Sequence, residues 1–429
     1  MKRLVVGLLA SLTALAAWTM PAPDTAAGVV DELPEPVADS RSQVWFCPGA
    51  AAEVDPVFTA QLVSPGIVGF SLPVGGEIID SFENRIEAGV GDWDIGDLLL
   101  YHPGAAIVET SSSPSAASVI YRGPDQVAAD GCATAAKEWY LNGAGIGEAD
   151  TLTLRLFNPL LEQGRVELEV VSEFGFEPLL DFQNMSIGPR SWEDVSLNLL
   201  LGEREQLAVR VAVVEGVVIP SMHRTTGDAL AVWSGESPAS RWEFPLAQAT
   251  GTDGTVSIWN PGEEPADVGL ELVGRQGPVG RFDVTVGAGR EETFNISSVT
   301  TRETGVVLTS TAAVVAAVRS DGPAGAASTV GAPRPVERWL VPAHGLIGGL
   351  DTFVFVLNSG DDPVEVVASA AGGDPGAPVV VAGHSIARLE IDGRGADITA
   401  SGPVSVAWVV TGGADTGLGL GSPVEVSAP

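Results

Sequence analysis

The stretch "GHSIA", Gly383 to Ala387, has the outline of a nucleophile elbow, with Ser385 where a hydrolase carries its attacking hydroxyl. That motif does chemistry only on a strand-to-helix turn, with an acid and a histidine supplied from elsewhere. Here it lies inside "VVVAGHSIARLEI", which aligns with the upstream stretch "VTVGAGREETFNI", where Arg290 stands and no serine is found. The alignment makes it a hairpin turn, and the hydrolase reading loses its context. A second stretch, "GDWDIGD", offers Asp92, Asp94 and Asp97 as oxygen ligands for a hard cation, calcium being the candidate. A calcium loop wants a carboxylate at its fifth position and glycine at its sixth, but Gly96 comes before Asp97. An acidic turn ahead of a strand is the competing reading.

His102, His223, His344 and His384 stand apart, with no pair at metal-ligand spacing. His223, beside Arg224, reads as a strand-end surface residue. The two cysteines, Cys47 and Cys132, have no base in their local sequence, so they read as one disulfide of an exported chain and not as nucleophiles. No phosphate loop and no dinucleotide fingerprint occurs. The 55 acidic residues form too many candidate pairs for any two to stand out as glycosidase carboxylates. The reading therefore contains no catalytic residue and no cofactor beyond the calcium candidates.

What the sequence does specify is the scaffold. Four tryptophans open strand-like runs: Trp45, Trp139, Trp242 and Trp339. Counting forward 19, 18 and 19 residues from the last three reaches Asn158, Asn260 and Asn358, and 19 from Trp45 reaches Ser64. Proline follows at Pro65, Pro159 and Pro261, with Ser359 in its place in the fourth copy. Proline fixes its own φ and drives the preceding residue out of the helical region, while asparagine can fold back on the following backbone. The pair thus ends one strand and aims the next. In the third copy Val256, Ile258, Val268, Leu270 and Leu272 alternate with Ser257, Asp267, Gly269 and Glu271, the period of half-buried antiparallel strands.

About seven short strands in the third copy, the last two at 304–310 and 312–319, predict four tandem immunoglobulin-like β-sandwich modules, an all-β fold. A β-propeller is the alternative, disfavoured because the tryptophans lie 94 to 103 residues apart, about twice a propeller blade. The expected modules are 43–125, 126–235, 236–333 and 334–429. Gly-, Pro-, Ala- and Ser-rich joints fall at 123–137, 225–240 and 321–337. A disulfide would clamp the first joint back onto the first strand of module one.

Lys2 and Arg3 followed by the apolar run Leu4 to Trp18 have the form of a signal peptide over residues 1–27, with an acidic linker at 28–42. A mature chain that does not span a membrane, secreted or held at the cell envelope, is expected. The net charge of −33 repels phosphate backbones, which excludes nucleic acid as a partner. The Trp-to-Asn-Pro register, "WFCPG", and closings such as "GVVLTSTAAVVAAVRSDGP" resemble a family of exported proteins from high-GC bacteria, catalogued as a domain of unknown function. The resemblance implies a secreted or envelope-associated protein of tandem sandwich modules and carries no catalytic residue. The function expected is non-enzymatic: spacer, adhesion or glycan contact, with a cell-envelope protein or glycan as partner. An enzyme or accessory subunit of cell-wall polysaccharide assembly is the second expectation.

Overall fold

The computed structural model describes residues 43–51, 54–62, 66–72, 82–88, 91–94, 105–111, 114–123, 126–178, 183–322, 325–342, 350–370, 373–391, 395–412 and 415–424. The expected signal peptide and acidic linker lie outside these residues, as do Ser64, Asp97, His102 and His344.

Around the first tryptophan the chain forms β1 (Gln43–Cys47), β2 (Asp55–Leu62), β3 (Gly66–Leu72), β4 (Phe82–Ala88), β5 (Gly91–Asp94), β6 (Ala106–Thr110), β7 (Ser115–Arg122) and β8 (Val127–Gly131). The second repeat follows with β9 (Glu138–Ile146), β10 (Asp150–Asn158), β11 (Gly164–Ser172), β12 (Gly175–Glu177), β13 (Met185–Ile187) and β14 (Ser191–Ser196). A short helix α1 (Leu197–Leu201) leads into its β15 (Arg204–Glu215), β16 (Ile219–Thr226) and β17 (Ala229–Ser234). The third has β18 (Ala239–Gln248), β19 (Asp253–Asn260), β20 (Ala266–Gly274), β21 (Gly277–Val286), β22 (Arg290–Asn295), β23 (Thr304–Gly322) and β24 (Gly325–Val330). The fourth has β25 (Val336–Val341), β26 (Asp351–Asn358), β27 (Val364–Ser369), β28 (Val379–Val381), β29 (Ser385–Glu390), β30 (Ala396–Gly412), β31 (Asp415–Leu420) and β32 (Ser422–Pro423).

The fold is all-β, in several antiparallel sheets that include a half-barrel and a nearly closed barrel. The alternation in the third repeat places Val256, Ile258, Val268, Leu270 and Leu272 in the core and leaves Asp267 exposed. Each repeat builds two sheets on one plan. In the third, β21-β20-β23-β18 forms one sheet and β22-β19-β23-β24 the other, joined because the nineteen-residue β23 belongs to both. The sequence reading divides this strand into two, at 304–310 and 312–319. The structure runs them together, since the first half pairs with β20 and the second with β19 and β24. An immunoglobulin domain keeps its second and sixth strands in opposite sheets. Here the sixth strand, β23, pairs with the second, β19, as well as with the third, β20.

The joints read as linkers contain strands. β8, β17 and β24 lie in them, and β31 is the corresponding strand of the fourth repeat. Their Ala-, Gly- and Ser-rich composition mimics turns, but its physical use is close approach: a Cβ on Gly417 would sit 2.8 Å from the Cβ of Ala129. β8 packs against β17, β17 against β24, β24 against β31, and β31 against β8, so the four close a ring. The blade-like sheets around this ring are what a propeller would have. The second sheet of every repeat is what a propeller blade lacks.

The hydrophobic cores follow the ring. Leu230 and Val232 of β17 join the first core, and Ala326 and Val330 of β24 join the second. Leu418 of β31 joins the third, and Val127 and Ala129 of β8 join the fourth. Each inner strand therefore completes the core of the repeat before it, and the first repeat completes the last. Residues 41–429 accordingly make one compact unit.

Candidate functional site at the seams between repeats

The repeated asparagines are bound alike. Asn260 Oδ1 accepts from the Gly262 N–H at 3.0 Å, while its Nδ2 donates to the carbonyls of Glu264 (2.7 Å) and Val286 (3.2 Å). Asn358 does the same with Gly360 N, Asp362 O and Val381 O. Asn158 uses Leu160 N, Glu162 O and Ile187 O, adding Gly188 O. All three are fully buried. The side chain closes the turn after its own strand and ties that turn to the end of a strand in the opposite sheet. Trp242 and Trp339 are buried with matching bonds, Nε1 donating at 2.8 Å to the carbonyls of Val314 and Val404. Trp45 donates to Ser115 Oγ instead, and Trp139 Nε1 is buried without a partner. These residues are structural, and they hold the strands that meet at the seams.

The seam between the second and third repeats concentrates polar groups. β9 is irregular where it pairs with β15, and Gly143 there takes φ +82°, a conformation glycine adopts without a steric penalty. This delivers the Asn142 side chain to the third repeat, where Nδ2 donates to Ser257 O (3.0 Å) and Val315 O (3.3 Å). The Gly143 N–H donates to Glu291 Oε1 at 3.1 Å. Glu291 Oε2 and Asn142 Oδ1 have no partner. Burial pushes the Glu291 carboxyl up to about 7, against the opposing effects of the Gly143 hydrogen bond and the Arg319 charge. Protonation would turn one orphaned acceptor into a donor. Alongside, Arg224 donates to Asp150 (3.3 Å) and to Asp321 (2.9 Å), and Arg319 pairs with Asp321 at 3.0 Å. Burial pulls the Arg319 guanidinium below its usual range.

The seam between the third and fourth repeats has a different solution. Glu243, fully buried, accepts from Arg241 Nε (2.8 Å) and Nη2 (2.6 Å), from Ser359 Oγ (2.7 Å) and from Ser405 Oγ (2.7 Å). Ser359 is the residue that replaces proline in the fourth copy, and its hydroxyl is what the glutamate of the third repeat needs. The position after the tryptophan holds Tyr140 in the second repeat, packed on Trp259, and Leu340 in the fourth, packed with Ala116 and Val424. One position thus makes three seams, each with its own chemistry.

Between the first and second repeats, Asp130 accepts from Ser234 Oγ at 2.6 Å and from Gly131 N, and burial pushes its carboxyl up to about 7. His223 is buried here, not on the surface as its place at the end of a repeat suggested. β16 lies between β10 and β17, and the first repeat covers it, with the Tyr121 ring edge-on at 5.7 Å. Burial and then the Arg155 charge hold His223 well below its usual range. Its Nδ1 accepts from Ala51 N at 3.5 Å, which leaves Nε2 to donate to Ser221 Oγ at 2.9 Å. That polarity is the reverse of a serine-activating base. The disulfide Cys47–Cys132 lies nearby and joins β1 to the residue following β8, next to the paired backbones of Phe46 and Ala133.

Ser385 is buried and donates to Ala382 O at 2.7 Å. Its neighbour His384 takes φ +49°, in the turn position where Gly289 stands at φ +62°. The His384 ring lies 2.9 Å from Asp361 and 3.2 Å from Glu271 of the third repeat, away from the serine. Of the calcium candidates, Asp92 and Asp94 lie on β5, in register with Gln61 and Thr59, and Asp97 is outside the described residues. No group of three or more His, Cys, Asp or Glu side chains that could hold a metal ion occurs among the described residues. None of their helices is long and apolar enough to cross a membrane. The seams are not legible in the sequence because the hydrogen bonds across them join residues 97 to 173 positions apart; the repeat position after the tryptophan, which holds Tyr140, Glu243 and Leu340, is the one signal that points to them.

A family described as "Family of unknown function (DUF5719)" matches residues 110–387. Among solved structures, that of Thermotoga maritima 1070 is 16% identical over 22% of this chain and 94% of its own, with a TM-score of 0.21. A tetra-tandem repeat from the extending region of a large adhesion protein is 10% identical over 90% of this chain and 100% of its own, TM-score 0.12. An α-L-rhamnosidase from Streptomyces avermitilis, complexed with L-rhamnose, is 10% identical over 87% of this chain and 57% of its own, TM-score 0.12. No curated protein matches the chain.

Proposed function

We propose that this chain, which belongs to the DUF5719 family of unknown function, is a secreted, non-enzymatic cell-envelope protein. Its four sandwich-like modules serve as a rigid platform for adhesion or glycan contact. The observation that carries this reading is the seam chemistry. The two acids pushed furthest from their usual range, Asp130 and Glu291, are spent on joining repeats and lie buried inside them, where no substrate reaches. Perturbed groups gathered in a cleft would favour catalysis. Perturbed groups sealed between repeats favour a part built for rigidity. The disulfide fits an oxidising compartment outside the cytoplasm.

The test is a binding screen of the full chain against cell-wall fractions and purified envelope glycans, with calcium and with chelator, beside a hydrolysis screen on the same glycans. Retention on an envelope fraction without turnover supports the platform. Catalytic cleavage of any of these glycans refutes it and supports an enzyme of cell-wall polysaccharide assembly.

A further inference from the structure

The third repeat carries an open recess of about 680 Å³. One wall is the turn from β20 to β21, with Arg275, Gln276, Pro278 and Val279; the other is the segment before β23, with Arg302 and Glu303. Both walls are held. Gly277 turns the hairpin at φ +118°, and the buried Gln248 amide donates to Thr300 O (2.7 Å) and Arg302 O (3.4 Å).

The charges inside do not cancel. Glu303 is taken on both sides, its Oε2 by Arg275 at 2.6 Å and its Oε1 by Arg388 of the fourth repeat at 3.8 Å. Arg302 is exposed and has no ion pair among the described residues, in a chain with 55 acids against 22 bases. With Arg275 and Glu303 neutralising each other, the lining has one net positive charge. That suits a single carboxylate better than a phosphate dianion, and a guanidinium fork matches a carboxylate edge. Around it, Glu303, the Gln276 amide and the Thr300 hydroxyl can accept from or donate to sugar hydroxyls. Pro278 and the half-exposed Val279 give an apolar floor for a ring's C–H face.

We propose that this recess binds the carboxylate of an acidic saccharide, a uronate, with Arg302 as its anchor. The assignment rests on the glycan-contact reading and narrows it to one ligand class and one place.

Calorimetric titration of the full chain decides it, using an oligogalacturonate, the same oligomer with its carboxyls reduced to alcohols, and inorganic phosphate. Wild-type protein is expected to bind the uronate, weakly for the reduced oligomer and for phosphate, with affinity falling as salt rises. Arg302→Ala should lose tenfold or more of that binding and Arg302→Lys part of it, with melting unchanged because the side chain is exposed and unpaired. Uronate binding that survives Arg302→Ala overturns the site and leaves the platform reading intact. Equal or tighter phosphate binding overturns the saccharide assignment. Absence of uronate binding overturns the proposal whatever else binds, and absence of binding to every envelope glycan removes the glycan-contact reading as well.

Discussion

Glu243 allows the seam between the third and fourth repeats to be taken apart by design. Glu243→Leu removes a buried carboxylate that four donor groups address, from Arg241, Ser359 and Ser405. Breaking a buried ion pair costs about 3–5 kcal/mol. The Arg241 side chain is 36% exposed and can regain water, so the lower end, roughly 3 kcal/mol, is expected. Ser405→Val alone removes one donor from Glu243 and should cost about 1–2 kcal/mol. The double variant is another matter. Leu340 occupies the Glu243 position in the fourth repeat, and Val315 occupies the Ser405 position in the third, each buried at its own seam. Leucine and valine together convert a polar seam into an apolar one of the kind the molecule already contains. Ser405 no longer strands a hydroxyl, but Arg241 and Ser359 still lack their acceptor, so a residual cost of roughly 2 kcal/mol remains. The singles sum to roughly 4–5 kcal/mol, so the double-mutant cycle should show a favourable coupling of about 2–3 kcal/mol, within the range for residues in contact. Urea denaturation of the four proteins measures it. A double variant destabilised by the sum of the singles would refute the reasoning, because the seam would then need the charge itself.

Asn260→Ala strips partners from Gly262 N, Glu264 O and Val286 O, and should cost about 3–5 kcal/mol at roughly 1–3 per buried orphaned group; a loss below ~0.5 kcal/mol by denaturant midpoint would deny the asparagine its tying role. Asp130 and Glu291 keep their protons to about pH 7 in the folded chain but release them near pH 4 when unfolded, so the folded state binds more protons across that window. Stability from these two groups therefore falls as pH rises from about 4 to 7, and the pair Asp130→Asn, Glu291→Gln should flatten that fall in thermal melts; an unaltered pH profile would count against it. Cys47→Ser with Cys132→Ser opens a loop of 85 residues and should cost roughly 4–5 kcal/mol in the chain-entropy model, read by denaturation against the oxidised protein. A loss under about 1 kcal/mol would show that the loop is already closed without the bond.

Much of the scaffold is legible in sequence because its parts recur. Trp242 and Trp339 make the same bond from the same position, and the three asparagines satisfy the same kinds of group, so counting residues found them. The disulfide pairing is legible because only two cysteines exist. What failed was composition used as a proxy for conformation. "VAADG" and "GAASTV" look like linkers, yet their small side chains are what lets β8 and β24 approach their neighbours around the ring. Ser359 looked like a lost proline because its reason, Glu243, stands 116 residues away. His223 looked exposed because nothing in its own repeat shows that Tyr121 and Ala51 will cover it.

The packing of β8 against β31 has a consequence in time. A chain synthesised from its N-terminus makes Val127 and Ala129 nearly three hundred residues before the strand they pack beside. Throughout that interval the first repeat carries an uncovered apolar flank, and the last step of folding is a long-range closure with a large loop entropy. Maturation should therefore be slow and all-or-none at its end. A truncated chain lacking residues 415–424 would accumulate as a sticky, protease-sensitive species, and a helper that shields this flank would act before the ring shuts and have nothing to hold afterwards.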